Sequence, residues 1–138
     1  MTDMPRPFVF PIRIYYEDTD AAGIVYHANY IKFAERARTE WLRALGYDHH
    51  LVLKEFGLVF MIKHIEINYR APARLDDALE VQTNMEAFGN SSFTMQQNII
   101  KDGTTLADLK VTIVAVNAQG RPERVPPQLR QIFEAQGA

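Results

Sequence analysis

Cysteine is absent from the 138-residue sequence. This absence excludes disulfide bonds, thiol nucleophiles and zinc sites with cysteine ligands. A strong charge of either sign is also lacking: the formal net charge is −2, so nothing favours a nucleic-acid partner. No apolar run approaches the roughly 18 residues that a membrane span requires. What remains is an ordinary globular composition, 47% hydrophobic and 23% charged, and we expect one domain over residues 1–138.

The first residues, MTDMPRPFVFPIRI, do not have the pattern of a secretory signal. Two early prolines and an acidic residue interrupt them, and they contain no continuous apolar core. We therefore expect a cytoplasmic protein.

The periodicity of apolar residues changes along the chain. From about Asn29 to Leu45 they recur at steps of three and four, which predicts an amphipathic helix that ends at Gly46. The segments YDHHLVLKEFG and PPQLRQIFEAQ predict two further short helices. The apolar stripe of the long helix consists of Ile31, Ala34, Ala37, Trp41, Leu42 and Leu45.

Strand-like segments lie on either side of these helices. FVFPIRIYY precedes the long helix, and Pro11 within it indicates an edge strand or a bend. After Gly57, four segments alternate with period two, and turn-like links such as GNSS and KDGT separate them. The alternation slips by one residue between Ile62 and Ile65, which predicts a β-bulge.

These elements predict an α+β fold in which an antiparallel sheet curls around one long helix. A single helix cannot cover such a sheet, so we also expect the chain to form oligomers.

The segment YYEDTDAAGIVYHANY, between the first strand and the long helix, is the best candidate for a reactive site. Asp20 is followed by small residues and Gly23, which allow a sharp turn and a close approach to a ligand. An apolar patch follows, and then His27 at the predicted start of the helix, where backbone N–H groups lack acceptors. An acid beside such donors is suited to attack on a carbonyl group.

Other interpretations of this segment stay open at this point. It is equally typical of a solvated turn, and His27 fits a helix cap or a packed core histidine as well as a functional residue. Asp18-Thr19-Asp20 resembles magnesium-binding Asp-x-Asp motifs only weakly. We expect no metal site, because the four histidines have no recognisable ligand spacing, and no serine nucleophile, because neither Ser91 nor Ser92 has a nucleophile-elbow pattern. The histidines are His27, His49, His50 and His64.

Two motifs carry a resemblance to a known family. YYEDTDAAGIVYHANYIKFAERARTEWL closely resembles the signature of hot-dog-fold acyl-CoA thioesterases of the 4-hydroxybenzoyl-CoA thioesterase superfamily, and YRAPARLDD is similar to the segment that joins two of their strands. The branch that it resembles most is the YbgC type, associated with the Tol–Pal envelope system. The resemblance extends roughly from Ile12 to Val116.

The resemblance implies roles for particular residues. Asp20 would be the catalytic carboxylate, as nucleophile or general base, and the backbone N–H of His27 would polarise the thioester carbonyl while its imidazole assists. Gly23, Val25 and Tyr26 would shape the turn and the acyl pocket. The family's basic run before a Ser-Phe pair is missing at Gly89–Phe93, so phosphate contacts would come from elsewhere. The remaining candidates for binding the substrate are Arg70, Arg74, Arg121, Ser91 and Ser92.

The resemblance also implies a reaction and an assembly. It implies hydrolysis of acyl-CoA, or of an acyl carrier protein thioester, without a metal or other cofactor. It implies a dimer or a dimer of dimers (a homotetramer) with active sites at the subunit interfaces. Two alternatives stay open: an enoyl-CoA hydratase that uses an Asp/His pair, and a non-catalytic adaptor.

Overall fold

The computed structural model describes residues 7–136. The absence of a secretory signal was predicted partly from residues 1–6, which lie outside the described residues. Between residues 7 and 136, no helix has the length and apolar character needed to cross a bilayer.

Within residues 7–136, one five-stranded sheet and three helices form the fold. The strand order is β1-β3-β4-β5-β2, and every neighbouring pair is antiparallel, so the α+β prediction is confirmed. In chain order the elements are β1 (Phe8–Arg13), a 3-10 turn (Tyr16–Asp18), α1 (Asn29–Ala44), α2 (His49–Phe56), β2 (Val59–Tyr69), β3 (Ala78–Phe88), β4 (Ser92–Lys101), β5 (Thr104–Val116) and α3 (Pro127–Glu134).

Helix α1 ends as the sequence predicts. Gly46 has φ +93°, and the amides of Gly46 and Tyr47 donate to the carbonyls of Arg43 and Leu42, which is a Schellman motif. The predicted apolar stripe is rotated slightly, because Ile31 and Leu45 are only half-buried. The residues that α1 buries are Tyr30, Phe33, Ala34, Ala37, Arg38, Trp41 and Leu42.

The two faces of the sheet differ in polarity. Alternate residues of β4 and β5 on the inner face are fully buried, and α1 packs mainly against β3 and β1 on this side. The opposite face is polar and includes Gln82, Asn84, Gln96 and Asn98. Because α1 lies over the β1 side of the sheet, β2 is less completely covered, and none of its residues is buried.

Both predicted strand irregularities are confirmed. The pairing of β2 with β5 shifts between Ile62 and His64, which is the predicted bulge. Pro11 lies in β1, an edge strand, where a missing N–H costs least. The first strand is shorter than the pattern predicts: it ends at Arg13, because the amide of Tyr15 already donates to the Asp18 carboxylate in the 3-10 turn.

The other edge strand, β2, exposes apolar side chains. Exposed fractions reach 52% for Met61 and 46% for Ile62, and Val59 and Tyr69 are exposed to a similar extent. An uncovered strand edge with apolar side chains is a surface that proteins normally cover with another element or another chain.

Candidate active site

The loop between the 3-10 turn and α1 forms a tight reversal around Asp20. The Asp20 amide donates to the carbonyl of Ile24 at 2.9 Å, and the Gly23 amide donates to the carbonyl of Asp20 at 2.9 Å. Thr19 and Val25 form an antiparallel bridge at the base of this turn. Gly23 has φ +78°, a conformation that strains any residue with a Cβ. The flexible glycine in the sequence is therefore used to close the turn.

The carboxylate of Asp20 lies at the tip of this loop and is exposed. Its Oδ1 accepts a hydrogen bond from the Ala22 amide at 2.9 Å, which fixes the direction of the side chain. Oδ2 has no protein hydrogen-bond donor within residues 7–136. Asp18 differs, because its carboxylate accepts from the Tyr15 amide at 2.8 Å and caps the 3-10 turn. Each carboxylate therefore has one oxygen in a hydrogen bond within the loop, and Asp20 is the more exposed of the two.

His27 lies two residues before the first residue of α1. The N-cap of the helix is Ala28, and the His27 side chain is exposed, so neither the capping interpretation nor the core-histidine interpretation is correct. In the described part of the chain, the His27 amide donates to no hydrogen-bond acceptor. The Ala28 amide likewise has no acceptor among residues 7–136, whereas the Asn29 amide donates to the carbonyl of Tyr26 at 2.9 Å. The unpaired His27 N–H lies at the head of α1, and its role as an oxyanion donor stays a prediction.

Two tyrosines hold this backbone in place. The Tyr69 hydroxyl donates to the carbonyl oxygen of His27 at 2.8 Å, and the Tyr30 hydroxyl accepts from the Ala73 amide at 3.0 Å. The Ala73 carbonyl in turn accepts from the Val25 amide at 2.9 Å. Burial raises the pKa of both Tyr30 and Tyr69 above the usual value, so each keeps its hydroxyl proton at neutral pH.

A cavity of ≈ 320 Å³ lies beside the head of α1. The buried side chain of Val25 and the exposed ring of His27 contribute to its wall. Tyr26, predicted to shape the acyl pocket, does not line this cavity; its ring packs against His27 in a tilted arrangement with centroids 4.5 Å apart. Asp20 is on the same loop but outside the wall of this cavity. The lining residues are Ile24, Val25, His27, Tyr30, Tyr69, Arg70, Ala71 and Pro72.

Both arginines of the YRAPARLDD segment lie near this loop. Arg70 lines the cavity, and its Nε forms an ion pair with Asp108. A hydrogen bond from Asn68, together with Arg70, holds the pKa of Asp108 below its usual value. Arg74 is exposed, and its backbone forms an antiparallel bridge with Ile24. These positions bring two cationic side chains to the loop that carries Asp20.

Ser91 and Ser92 lie at the opposite end of the sheet. Ser92 pairs with Val114 on β5, whereas Tyr69, beside His27, pairs with Ala107. Seven residues of strand at about 3.4 Å each place these two ends about 24 Å apart. Arg121 follows β5 and lies at the serine end. A single chain therefore does not bring the predicted serines together with Asp20 and His27.

The sequence analysis did not identify Tyr30 and Tyr69 as site residues. Tyr69 was part of a motif that carried the resemblance, but a role for its hydroxyl is not visible without the contact to His27, 42 residues away. Tyr30 adjoins the predicted helix stripe, which indicated burial and not hydrogen bonding.

Within residues 7–136, no three His, Asp or Glu side chains lie close enough together to hold a metal ion.

Comparison with known proteins identifies the family. The model of the Thioesterase-like superfamily matches residues 15–133. The chain is 38% identical over 127 residues to "Acyl-CoA thioesterase YbgC" of Haemophilus influenzae, covering 91% of this chain and 93% of the relative. It is 40% identical over 129 residues to "Acyl-CoA thioester hydrolase YbgC" of Escherichia coli, covering 92% and 96%.

A solved structure agrees with this family. A probable thioesterase from Bartonella henselae superposes with a TM-score of 0.82 and 37% sequence identity, covering 86% of this chain and 98% of that structure. The resemblance stated from the sequence, including the hot-dog fold, is thereby confirmed. The chain belongs to the Thioesterase-like superfamily and is a thioester hydrolase.

Proposed function

We propose that this protein hydrolyses acyl-CoA thioesters to the free acid and CoA-SH, with Asp20 as the catalytic carboxylate. The observation that carries the proposal is the loop from Asp20 to His27: within residues 7–136, Oδ2 of Asp20 has no donor, and the His27 amide at the head of α1 has no acceptor. The names of the YbgC relatives support acyl-CoA as the substrate class.

The His27 amide would bind the thioester carbonyl oxygen. As negative charge develops on that oxygen, the hydrogen bond strengthens, and loss of one such donor typically costs about 3 kcal/mol in the transition state. Tyr69 holds the adjacent carbonyl of His27, so the amide would need little reorganisation during the reaction. The imidazole of His27 would interact with the leaving thiolate.

Asp20 would act in one of two ways, both without a metal. As a general base it takes a proton from water, the oxygen of that water bonds to the carbonyl carbon, and the C–S bond then breaks. The thiolate recovers the proton that Asp20 accepted. As a nucleophile, Asp20 bonds to the carbonyl carbon and expels the thiolate, and water then hydrolyses the resulting anhydride.

We also propose that two copies associate through β2. Antiparallel pairing of β2 with its symmetry mate covers the exposed Met61 and Ile62 and joins the two sheets into one. The same pairing places the Val59 end of one chain beside the Tyr69 end of the other. Ser91, Ser92 and Arg121 of each chain would then approach Asp20 and His27 of its neighbour. The proposal includes both this dimer and a dimer of dimers.

The group that carries the acyl chain and the location of the protein in the cell are further parts of the proposal. Arg74 and Arg121 are exposed and are candidates for contacts with CoA phosphates, whereas Arg70 is already paired with Asp108. An acyl carrier protein thioester is the second candidate carrier. The cytoplasmic location and the link to the Tol–Pal system also stay predictions.

Replacement of Asp20 tests the function. Asp20→Asn keeps the size of the side chain but removes its charge, so we expect thiol release from a panel of acyl-CoAs to fall at least about 100-fold. Glu17→Gln, which removes a neighbouring exposed carboxylate, is the matched control and should keep wild-type rates.

Three outcomes would contradict the proposal. The first is wild-type turnover by the Asn variant. The second is loss of enoyl absorbance from an enoyl-CoA without thiol release, which would indicate a hydratase. The third is full rescue of a deletion strain by the Asn variant, which would indicate an adaptor.

A further inference from the structure

A second cavity of ≈ 320 Å³ lies between α1 and the part of the sheet formed by β4, β5 and β2. It occupies the region that α1 leaves less covered, and it shares no lining residue with the cavity beside His27. Glu35, Thr39 and His49 lie at its polar margin. Its apolar wall consists of Trp41, Leu42, Phe60, Ile62, Phe93, Met95 and Ile113.

A buried cation lines this apolar cavity. Arg38 is only 9% exposed, and its Nη1 donates to Oε1 of Gln97 at 2.9 Å. The Gln97 amide nitrogen donates to the carbonyl of Ala34 at 2.9 Å and to the hydroxyl of Thr83 at 3.0 Å. The Gln97 side chain therefore forms hydrogen bonds through both its oxygen and its nitrogen, and it fixes the position of the Arg38 guanidinium.

Most of the hydrogen-bonding capacity of Arg38 is unused. A guanidinium carries five N–H donors, and within residues 7–136 one bond to Gln97 is formed and no carboxylate pairs with Arg38. In the same part of the chain, no fully buried side-chain polar atom lacks a partner. The Arg38 donors that form no bond are therefore not fully buried, and Arg38 lines the cavity.

This arrangement favours an anionic ligand. Burial lowers the pKa of Arg38, and the charge of Glu35, which opposes that effect, comes from a carboxylate that forms no ion pair with Arg38. The planar guanidinium binds carboxylates through two parallel hydrogen bonds, and the apolar wall would accept a hydrocarbon body. The volume is at the lower end of the range of small-molecule pockets.

We propose that this cavity binds a carboxylate carried on a short apolar chain, with Arg38 as the residue that recognises the carboxylate. The identity of the ligand rests on the proposed function, because thioester hydrolysis releases a carboxylic acid. Two sources supply this chemistry: the product acid itself, or a second carboxylate at the far end of an acyl group. Both place an anion against Arg38 and a hydrocarbon chain against the wall around Trp41 and Phe93.

Direct binding of octanoate tests the proposal without any turnover. Titration calorimetry with wild type should show octanoate binding at least tenfold more tightly than 1-octanol, which has the same chain without the charge. In Arg38→Met this preference should disappear. Arg36→Met is the matched control: Arg36 is exposed on another side of α1, over the ring of Phe33, and its loss should leave the preference unchanged.

Equal binding of octanoate and 1-octanol by wild type would overturn the proposal, and that comparison needs no variant. Equal effects of the two methionine variants would also overturn it. A dimer that dissociates in Arg38→Met, together with no octanoate preference in wild type, would show that Arg38 pairs with a carboxylate of a second copy. If Arg38→Met does not fold, Arg38→Lys replaces it in the titrations. We expect Arg38→Lys to lose part of the preference for octanoate over 1-octanol.

Kinetics distinguish the two sources. If the product acid is the ligand, octanoate inhibits octanoyl-CoA hydrolysis by wild type, and the inhibition weakens at least tenfold in Arg38→Met. If a distal carboxylate is the ligand, the ratio of kcat/KM for suberyl-CoA to that for octanoyl-CoA falls at least tenfold in the same variant. If neither change occurs, the proposal is overturned. A protein that binds octanoate selectively but hydrolyses no thioester would refute the proposed function and leave this site intact.

Discussion

The hydroxyl of Tyr69, the last residue of β2, donates a 2.8 Å hydrogen bond to the carbonyl oxygen of His27, just before α1. The contact joins an edge strand to the peptide group that follows the unpaired His27 amide. Because one hydrogen bond fixes this peptide, the direction of the neighbouring N–H depends on a side chain 42 residues away. Tyr69 is therefore a positioning residue for the proposed oxyanion donor.

Tyr69→Phe should lower kcat with little effect on KM. The ring remains, so the wall of the cavity is unchanged, and only the hydrogen bond to His27 is lost. A typical hydrogen bond contributes about 1 kcal/mol, so we expect a decrease in kcat of roughly fivefold to tenfold. Steady-state kinetics with an acyl-CoA measure this. Tyr16→Phe is the control, because Tyr16 is 82% exposed and has no proposed role in the site. An unchanged kcat in Tyr69→Phe would exclude the positioning role.

Tyr30→Phe should act on stability. It removes the acceptor of the Ala73 amide, and Ala73 is fully buried, so an N–H group would be left without a partner. We expect the free energy of unfolding to decrease by about 1–3 kcal/mol. Denaturation in urea measures the change. A variant as stable as wild type would mean that another acceptor, or water, replaces the hydroxyl.

Gly23→Ala should reduce activity through the backbone alone. An added Cβ would meet no atom within 4 Å, so the effect must come from the positive φ of +78°. That conformation costs a residue with a Cβ about 1–2 kcal/mol, and relief of the strain would move Asp20. Gly103→Ala is the matched control, since Gly103 has φ +80° and equal space in the β4–β5 turn. Both variants should lose similar stability, and only Gly23→Ala should lose activity.

Mixed oligomers should regain activity if each site uses two chains. Asp20→Asn removes the carboxylate, and Arg121→Glu removes the cation proposed to come from the neighbouring chain. An equal mixture, after subunit exchange, forms mixed dimers with one intact site each, so activity should recover to about one quarter of wild type. Activity that stays at the mean of the two separate variants would show that each site is confined to one chain.

Local patterns in the sequence were sufficient to predict the helices, the bulge and the loop. The end of α1 at Gly46 and the slip between Ile62 and Ile65 are each determined by a few consecutive residues. Asp20 and His27 were identified for the same reason, because the turn between them depends on small residues and a glycine. These predictions needed no knowledge of strand order.

Contacts between distant segments could not be predicted in this way. Arg38 and Gln97 are 59 residues apart, and nothing in the helical pattern shows that a charged side chain replaces an apolar one on the buried face of α1. Ser91 and Ser92 were grouped with the loop residues, but the strand order separates them by the length of β5. Such separations become visible only when the pairing of the strands is known.

Pro11 has a consequence for how many copies can join. It is the fourth of six residues in β1, the edge opposite to β2, and a proline has no amide hydrogen to offer an incoming strand. Strands of further copies can therefore extend the sheet only at β2. Once that side is occupied by a symmetry mate, growth stops, and concentrated solutions of this protein should contain discrete particles and no fibrils.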